Sequence, residues 1–242
     1  MLPPFSSSIL IHPSETDEGL DTFMSLLYYS RLKFTTLLLP LLLSSSLPAH
    51  VISVFGPGRD TTLIPTDLSL RSPQNYGFMV SGSHAAYLTT FFMEHLAAQN
   101  PGKLALIHYF PGLVLTDAFE DPGLPAWFRW IFRYGWPLFR CLPFALNGDE
   151  CGQRVLFNAS PRFPARSGDS KGASSKTEGD IEMAVSSDGV VGGGAYRVNW
   201  NGEMVSTGKQ YKKLRKEGWF DIAVNHTLKV FEEIEAGKVF AE

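Results

Sequence analysis

The chain offers few residues that could move a proton, and they gather near one helix start. The stretch Val80-Ser81-Gly82-Ser83-His84 sets two hydroxyls and an imidazole within five residues. Imidazole titrates near neutrality, so His84 is the residue best suited to exchange a proton. A histidine at a helix start also occurs with no role beyond its place in the fold. Tyr76 lies eight residues before His84 and Tyr87 three after it, each a phenol able to serve as an acid or to pack. Ser81 and Ser83 suit helix capping better than catalysis. Ser53 lies inside an apolar run, His50–Phe55. Tyr29 and Lys33 stand four apart, but on a different helix, where an ordinary aromatic and a solvated lysine are the better reading. Cys141 and Cys151 have no ligand spacing, and no His/Cys/Asp/Glu set fits a metal.

The elements that must position these groups follow from periodicity. Residues 1–14 are Pro/Ser-rich and read as a poorly ordered lead-in to one domain spanning 15–242. Acids at Glu15–Glu18 open a helix running to about Leu43, with Leu20, Phe23, Leu27, Phe34, Leu37 and Leu38 on its apolar positions. The β-branched run at 50–55 predicts a buried parallel strand, ended by Gly56-Pro57-Gly58. A helix over about 77–100, a Pro101-Gly102 turn and a strand over 104–109 complete a right-handed βαβ unit. Pro111 and Gly112 make a second turn, followed by Leu113, Val114, Leu115 and Thr116. The run RVLFNA at 154–159 predicts another strand, and 161–194 a flexible polar insert. Tyr196–Trp200 with Asn201-Gly202 predicts a hairpin, then a basic helix at 209–217 and an amphipathic one at 222–236.

Composition bounds the partners. The 242 residues carry 44% hydrophobic and 19% charged side chains and a net charge of −3. No nucleic-acid partner is implied. The apolar run Leu37–Leu43, broken at Pro40, is too short to span a bilayer, and the N-terminus does not read as a signal peptide. A reducing, cytoplasmic setting is the expectation, so Asn158-Ala-Ser and Asn225-His-Thr are taken as chance matches to the glycosylation pattern.

Taken in order, EGLDTFMSLLYYSRLKF, the Val51–Phe55 strand, the SHAAYLTTFFMEHLA helix and Pro111-Gly112-Leu113-Val114-Leu115-Thr116 resemble the second half of the short-chain dehydrogenase/reductase family. The nearest flavour is a fungal group associated with secondary-metabolite pathways. The resemblance covers most of 15–240. It implies a partial Rossmann-like α/β fold of three layers with a parallel sheet. It also implies NAD or NADP as cofactor and hydride exchange with a hydrophobic carbonyl or alcohol. It places Pro111, Gly112, Val114 and Thr116 on the nicotinamide side, with His84, Ser53 and Tyr76 as the candidate catalytic groups. The family's Tyr-x-x-x-Lys falls here on Val80 and His84, its serine on Gly56 and its asparagine on Leu27. Its Gly-rich phosphate turn has no counterpart, since Gly192–Gly194 precedes a hairpin. The resemblance thus implies a chain starting after the family's fourth strand. Two other readings stay open: a catalytically deficient relative acting as a binding or scaffold protein, and a non-redox isomerase or cyclase using His84. A homo-oligomer fits either.

The segment 127–140 interleaves Trp127, Phe128, Trp130, Phe132, Trp136 and Phe139 with Arg129, Arg133 and Arg140. Its reading as a lid over an apolar substrate stands first. Core packing and contact with a membrane interface are the alternatives.

Overall fold

A computed structural model describes residues 14–114, 116, 119, 126–139, 142, 144–167 and 181–241. Residues 1–13 of the expected 1–14 lead-in, the centre of the insert at 168–180, and Leu115 and Arg140 lie outside them. The fold is α/β. Strands β1 (Ala49–Val54), β2 (Leu104–Tyr109) and β5 (Ala195–Val198) form a parallel sheet in the order β1-β2-β5. A second, two-stranded pairing joins β3 (Leu113–Val114) to β4 (Ala145–Leu146).

Every residue of β2 is buried, so alternate side chains enter two different cores. Leu104 and Leu106 point to a face packed by helix α1 (Thr22–Leu43), helix α2 (Phe78–Gln99) and helix α6 (Trp219–Glu235). Ala105, Ile107 and Tyr109 point to the other, with Phe163, Ala184, Tyr196 and Val198. Val155 of helix α4 (Gly148–Phe157) packs there too, which completes the three layers.

Several expectations need correcting. The first helix begins at Thr22, not at Glu15–Glu18; Asp21 caps it by accepting from the Met24 amide at 2.8 Å. Residues 25–29 form a π turn, whose wider winding lets adjacent Tyr28 and Tyr29 both face inward. The helix runs to Leu43 as expected, with Pro40 inside it. By length and composition alone its 22 residues could cross a membrane, although Tyr28, Tyr29, Leu32 and Thr35 pack into the core. RVLFNA lies largely in α4 instead of a strand, because Asn147 caps that helix by accepting from the Glu150 amide at 2.7 Å. Within the expected insert, Phe163 and Ala184 are core residues, and Val185 bridges Val191.

The hairpin after β5 closes through an Asn199 amide to Glu203 carbonyl bond of 2.8 Å and a Val198–Met204 bridge. Helix α5 (Lys209–Lys216) then packs Tyr211 and Leu214 into the core. Arg215 donates to the buried Glu94 carboxylate at 2.6 Å, tying α5 to α2.

Candidate functional site

Two polar residues near the start of α2, Ser83 and His84, turn toward one loop, 56–76. Ser83 Oγ accepts from the amides of Thr61 and Thr62, each at 2.7 Å, and donates to the Thr62 carbonyl at 2.9 Å. His84 is fully buried. Its Nε2 lies 3.0 Å from the Leu68 carbonyl, and its Nδ1 accepts from the Ile64 amide at 3.4 Å. A carbonyl can only accept, so the proton sits on Nε2. Asp67 extends the clamp by accepting from Arg71, Ser72 and Asn75. This network holds buried Leu70 at φ +52°, a conformation that costs roughly 1–3 kcal/mol and needs such support. Val80 packs against the core and carries no exchangeable proton.

Tyr76 ends the loop and stands half-buried beside Asp21. Burial, then the Asp21 charge, pushes its phenol up to about 12. Burial likewise raises the Asp21 carboxyl. The phenol therefore stays protonated across the physiological range. Tyr87, by contrast, belongs to the core, against Tyr211 at 4.5 Å.

Ser53 lies in a row across the sheet, paired in register with His108, which is paired with Arg197. Arg197 is 2% exposed, and its Nη2 meets both oxygens of Asp60 at 2.6 Å. Its guanidinium also lies over the Tyr211 ring at 4.7 Å. His108 bonds Thr90 Oγ1 through Nδ1 at 3.2 Å. Thr90 gives its own proton to the Ala86 carbonyl, so Nδ1 carries the imidazole proton and Nε2 is a buried acceptor with no partner. Burial, with the nearby Arg197 and Arg31 charges, pushes His108 down to about 3. This row is a neutral imidazole beside a buried ion pair, and it fixes loop 56–60 to the sheet.

The nicotinamide-side segment has a definite shape. Gly112 adopts φ +78°, and a Cβ there would sit 2.5 Å from the Phe144 carbonyl and 3.2 Å from Trp200 Cβ. Only glycine fits. The chain then runs straight into β3, where Val114 pairs with Leu146, and Thr116 emerges exposed beyond it. At the other end, Gly192–Gly194 offers no phosphate cradle: a Cβ on Gly193 would meet Ser186 Oγ at 2.1 Å, and one on Gly194 the Arg166 amide at 2.8 Å. Protein already fills that space. Among the described residues, no group of three or more His, Cys, Asp or Glu could hold a metal.

The candidate residues therefore divide. His84 and Tyr76 flank the same loop, one clamping it and the other closing it. Ser53 joins the His108–Arg197 row, and Pro111–Thr116 stands after β2. Tyr29 and Lys33 each bond α6, through His226 at 2.8 Å and through Glu235, which settles them as packing residues. Asp60 and Arg197 were not picked out from sequence. Their signal was present: period two puts Arg197 on the same face as buried Ala195, where a charge needs a partner.

Comparison with known proteins sharpens this picture. The chain is 34% identical over 228 residues to the short-chain dehydrogenase/reductase SAT2 of Stachybotrys chartarum, covering 93% of the chain and 62% of that protein. It is 33% identical to oxidoreductase AN1596 of Emericella nidulans, covering 91% and 64%. With oxidoreductase andH of Emericella variicolor the identity is 31%, covering 95% and 66%. The chain thus spans less than two thirds of the length of these curated relatives. No family model matches it, and no solved structure does.

Proposed function

We propose that the chain, which is similar to a curated short-chain dehydrogenase/reductase, forms the substrate-side part of an NAD(P)-dependent oxidoreductase. The substrate is a hydrophobic carbonyl or alcohol, handled as a tailoring step in fungal secondary metabolism. The observation that carries this reading is the Gly112 turn. It is a left-handed glycine against the Phe144 carbonyl that carries the chain through β3 and leaves the Thr116 hydroxyl exposed. That geometry fits the carboxamide end of a nicotinamide. The Gly192–Gly194 run does not fit its pyrophosphate, because protein already fills the space at Gly193 and Gly194. When bound, the nucleotide supplies or accepts the hydride.

The chain's own residues do the rest. Thr116 would hold the carboxamide through its hydroxyl, and Val114 would offer an apolar side chain next to it. Tyr76 holds a proton for the oxygen of a carbonyl undergoing reduction. His84 acts through the loop: it holds residues 64–68 so that Tyr76 stays in place, and is a positioning residue. The half-buried Phe128, Phe132 and Phe139 of helix α3 (Ala126–Phe139) form the inner face of a lid for an apolar substrate. A second copy of the chain is the natural cover for the exposed stripe Leu26, Phe34, Leu37 and Leu41 on α1.

The test is NADPH or NADH consumption with a panel of hydrophobic ketones. Tyr76→Phe should remove most turnover while leaving nucleotide binding intact. Full turnover in that variant would discard the assignment.

A further inference from the structure

Helix α3 has three faces, and among the described residues only one of them packs against the rest of the protein. At about 100° per residue, Phe128, Phe132 and Phe139 share an arc. Their rings stack on one another and on Phe119, with Phe119–Phe132 centroids 4.2 Å apart. A second arc carries Trp127, Trp130, Ile131, Tyr134 and Leu138. Four of these are more than 60% exposed, led by Leu138 at 72% and Trp127 at 66%. Between the two arcs, on one side, stand Arg129 and Arg133, one helical turn apart. The sequence AWFRWIFRYGWPLF contains no acidic residue.

An open groove of about 220 Å³ runs along this cationic flank, lined by Ala126, Arg129, Trp130, Arg133 and Tyr134. It places two guanidinium groups beside two amphipathic rings. Arg129 Nε is buried and has no hydrogen-bond partner. Among the described residues, no carboxylate lines the groove.

We propose that α3 docks in the plane of an anionic phospholipid surface, with headgroup phosphates held between Arg129 and Arg133 and the Trp127–Leu138 arc sunk into the acyl boundary. The chemistry of the two faces selects this occupant. Trp and Tyr favour the headgroup level, and a flank bearing only cations needs anions opposite it. A second copy of the same face would bring the same aromatics and arginines and no carboxylate to meet them. The inference does not depend on the proposed reaction, because the outer arc is distinct from the inner Phe face.

The experiment is co-sedimentation of the full chain with vesicles of phosphatidylcholine, with and without phosphatidylglycerol. Tryptophan emission is followed in the same samples. Binding should require phosphatidylglycerol, weaken as salt is added and shift the emission to the blue. Arg129→Gln with Arg133→Gln should weaken it about 30-fold, from roughly one kcal/mol per basic residue. Trp127→Ser with Trp130→Ser should abolish it. Trp127, Trp130 and Arg133 are exposed and Arg129 is half-buried with its Nε unpartnered, so far-UV circular dichroism should stay native. Three results would each overturn the proposal: no binding to phosphatidylglycerol vesicles, binding that survives the double Trp substitution, or a soluble dimer that those substitutions dissolve.

Discussion

Replacing Asp60 with Ala tests how loop 56–60 is held to the sheet. Arg197 and Asp60 are 2% and 3% exposed, so the substitution leaves a guanidinium buried with no counter-charge. Its remaining contacts are a 3.2 Å bond to the Ser206 carbonyl and the Tyr211 ring. Breaking a buried pair from one side costs about 3–5 kcal/mol. A domain of this size shifts its melting temperature by about 2–4 °C per kcal/mol, so a drop of about 6–20 °C is expected. The second half of the test is Asp60→Leu with Arg197→Met, which removes both charges and keeps similar volume. Desolvation of the pair offsets most of its attraction, so the double variant should recover most of the loss. Thermal melts followed by circular dichroism read both. A single variant melting within about 2 °C of the parent, or a double variant no better than the single, would refute a buried, mutually dependent pair.

Stability should also depend on pH through His108. Its folded value, about 3, lies below the ordinary 6.5, so the unfolded chain binds the proton more readily between those limits. The stability it contributes is complete above about 6.5 and falls as pH drops toward 3, by at most about 1.4 kcal/mol per unit. His108→Gln should flatten that slope in denaturant titrations at several pH values. His84→Ala removes the contacts to Ile64 and Leu68. Hydrogen exchange should rise at residues 61–70 while the β2 amides stay protected; unchanged exchange in the loop would contradict the clamp. Gly112→Ala forces a Cβ against the Phe144 carbonyl at a left-handed φ and should cost clearly more than the roughly 1–2 kcal/mol of conformation alone. Gly189, at φ +89° with open space around it, is the control, and its Ala variant should show only that smaller loss in a thermal melt.

Much of the frame was legible because its signals are local. The Val51–Phe55 run, the long helix before Pro101-Gly102, and Asn201-Gly202 each carry their own turn or period. The misses came from signals that compete or act at a distance. Val155-Leu156-Phe157 reads as strand by residue type, yet Asn147 with Asp149 and Glu150 starts a helix, and that capping decided the outcome. The polar stretch 161–194 hides Phe163 and Ala184, whose role depends on Tyr196 lying across the sheet. His84 reads as an acid–base group from its type alone. Its ring bonds reach a loop 16 to 20 residues away, which spacing cannot reveal. The exposed outer arc of α3 was visible as an aromatic–arginine pattern, but three readings fit that pattern until the exposure of Trp127, Trp130 and Tyr134 separated the faces.

The central claim is that the Gly112 turn and Thr116 hold the nicotinamide end of a cofactor. Titration of the chain with reduced nicotinamide mononucleotide, which carries no pyrophosphate, addresses that loop directly through the emission of the nicotinamide. The account predicts a saturable change, weakened about tenfold in Thr116→Val by loss of one hydrogen bond. No saturable response up to millimolar nucleotide, or a response indifferent to Thr116→Val, would contradict it.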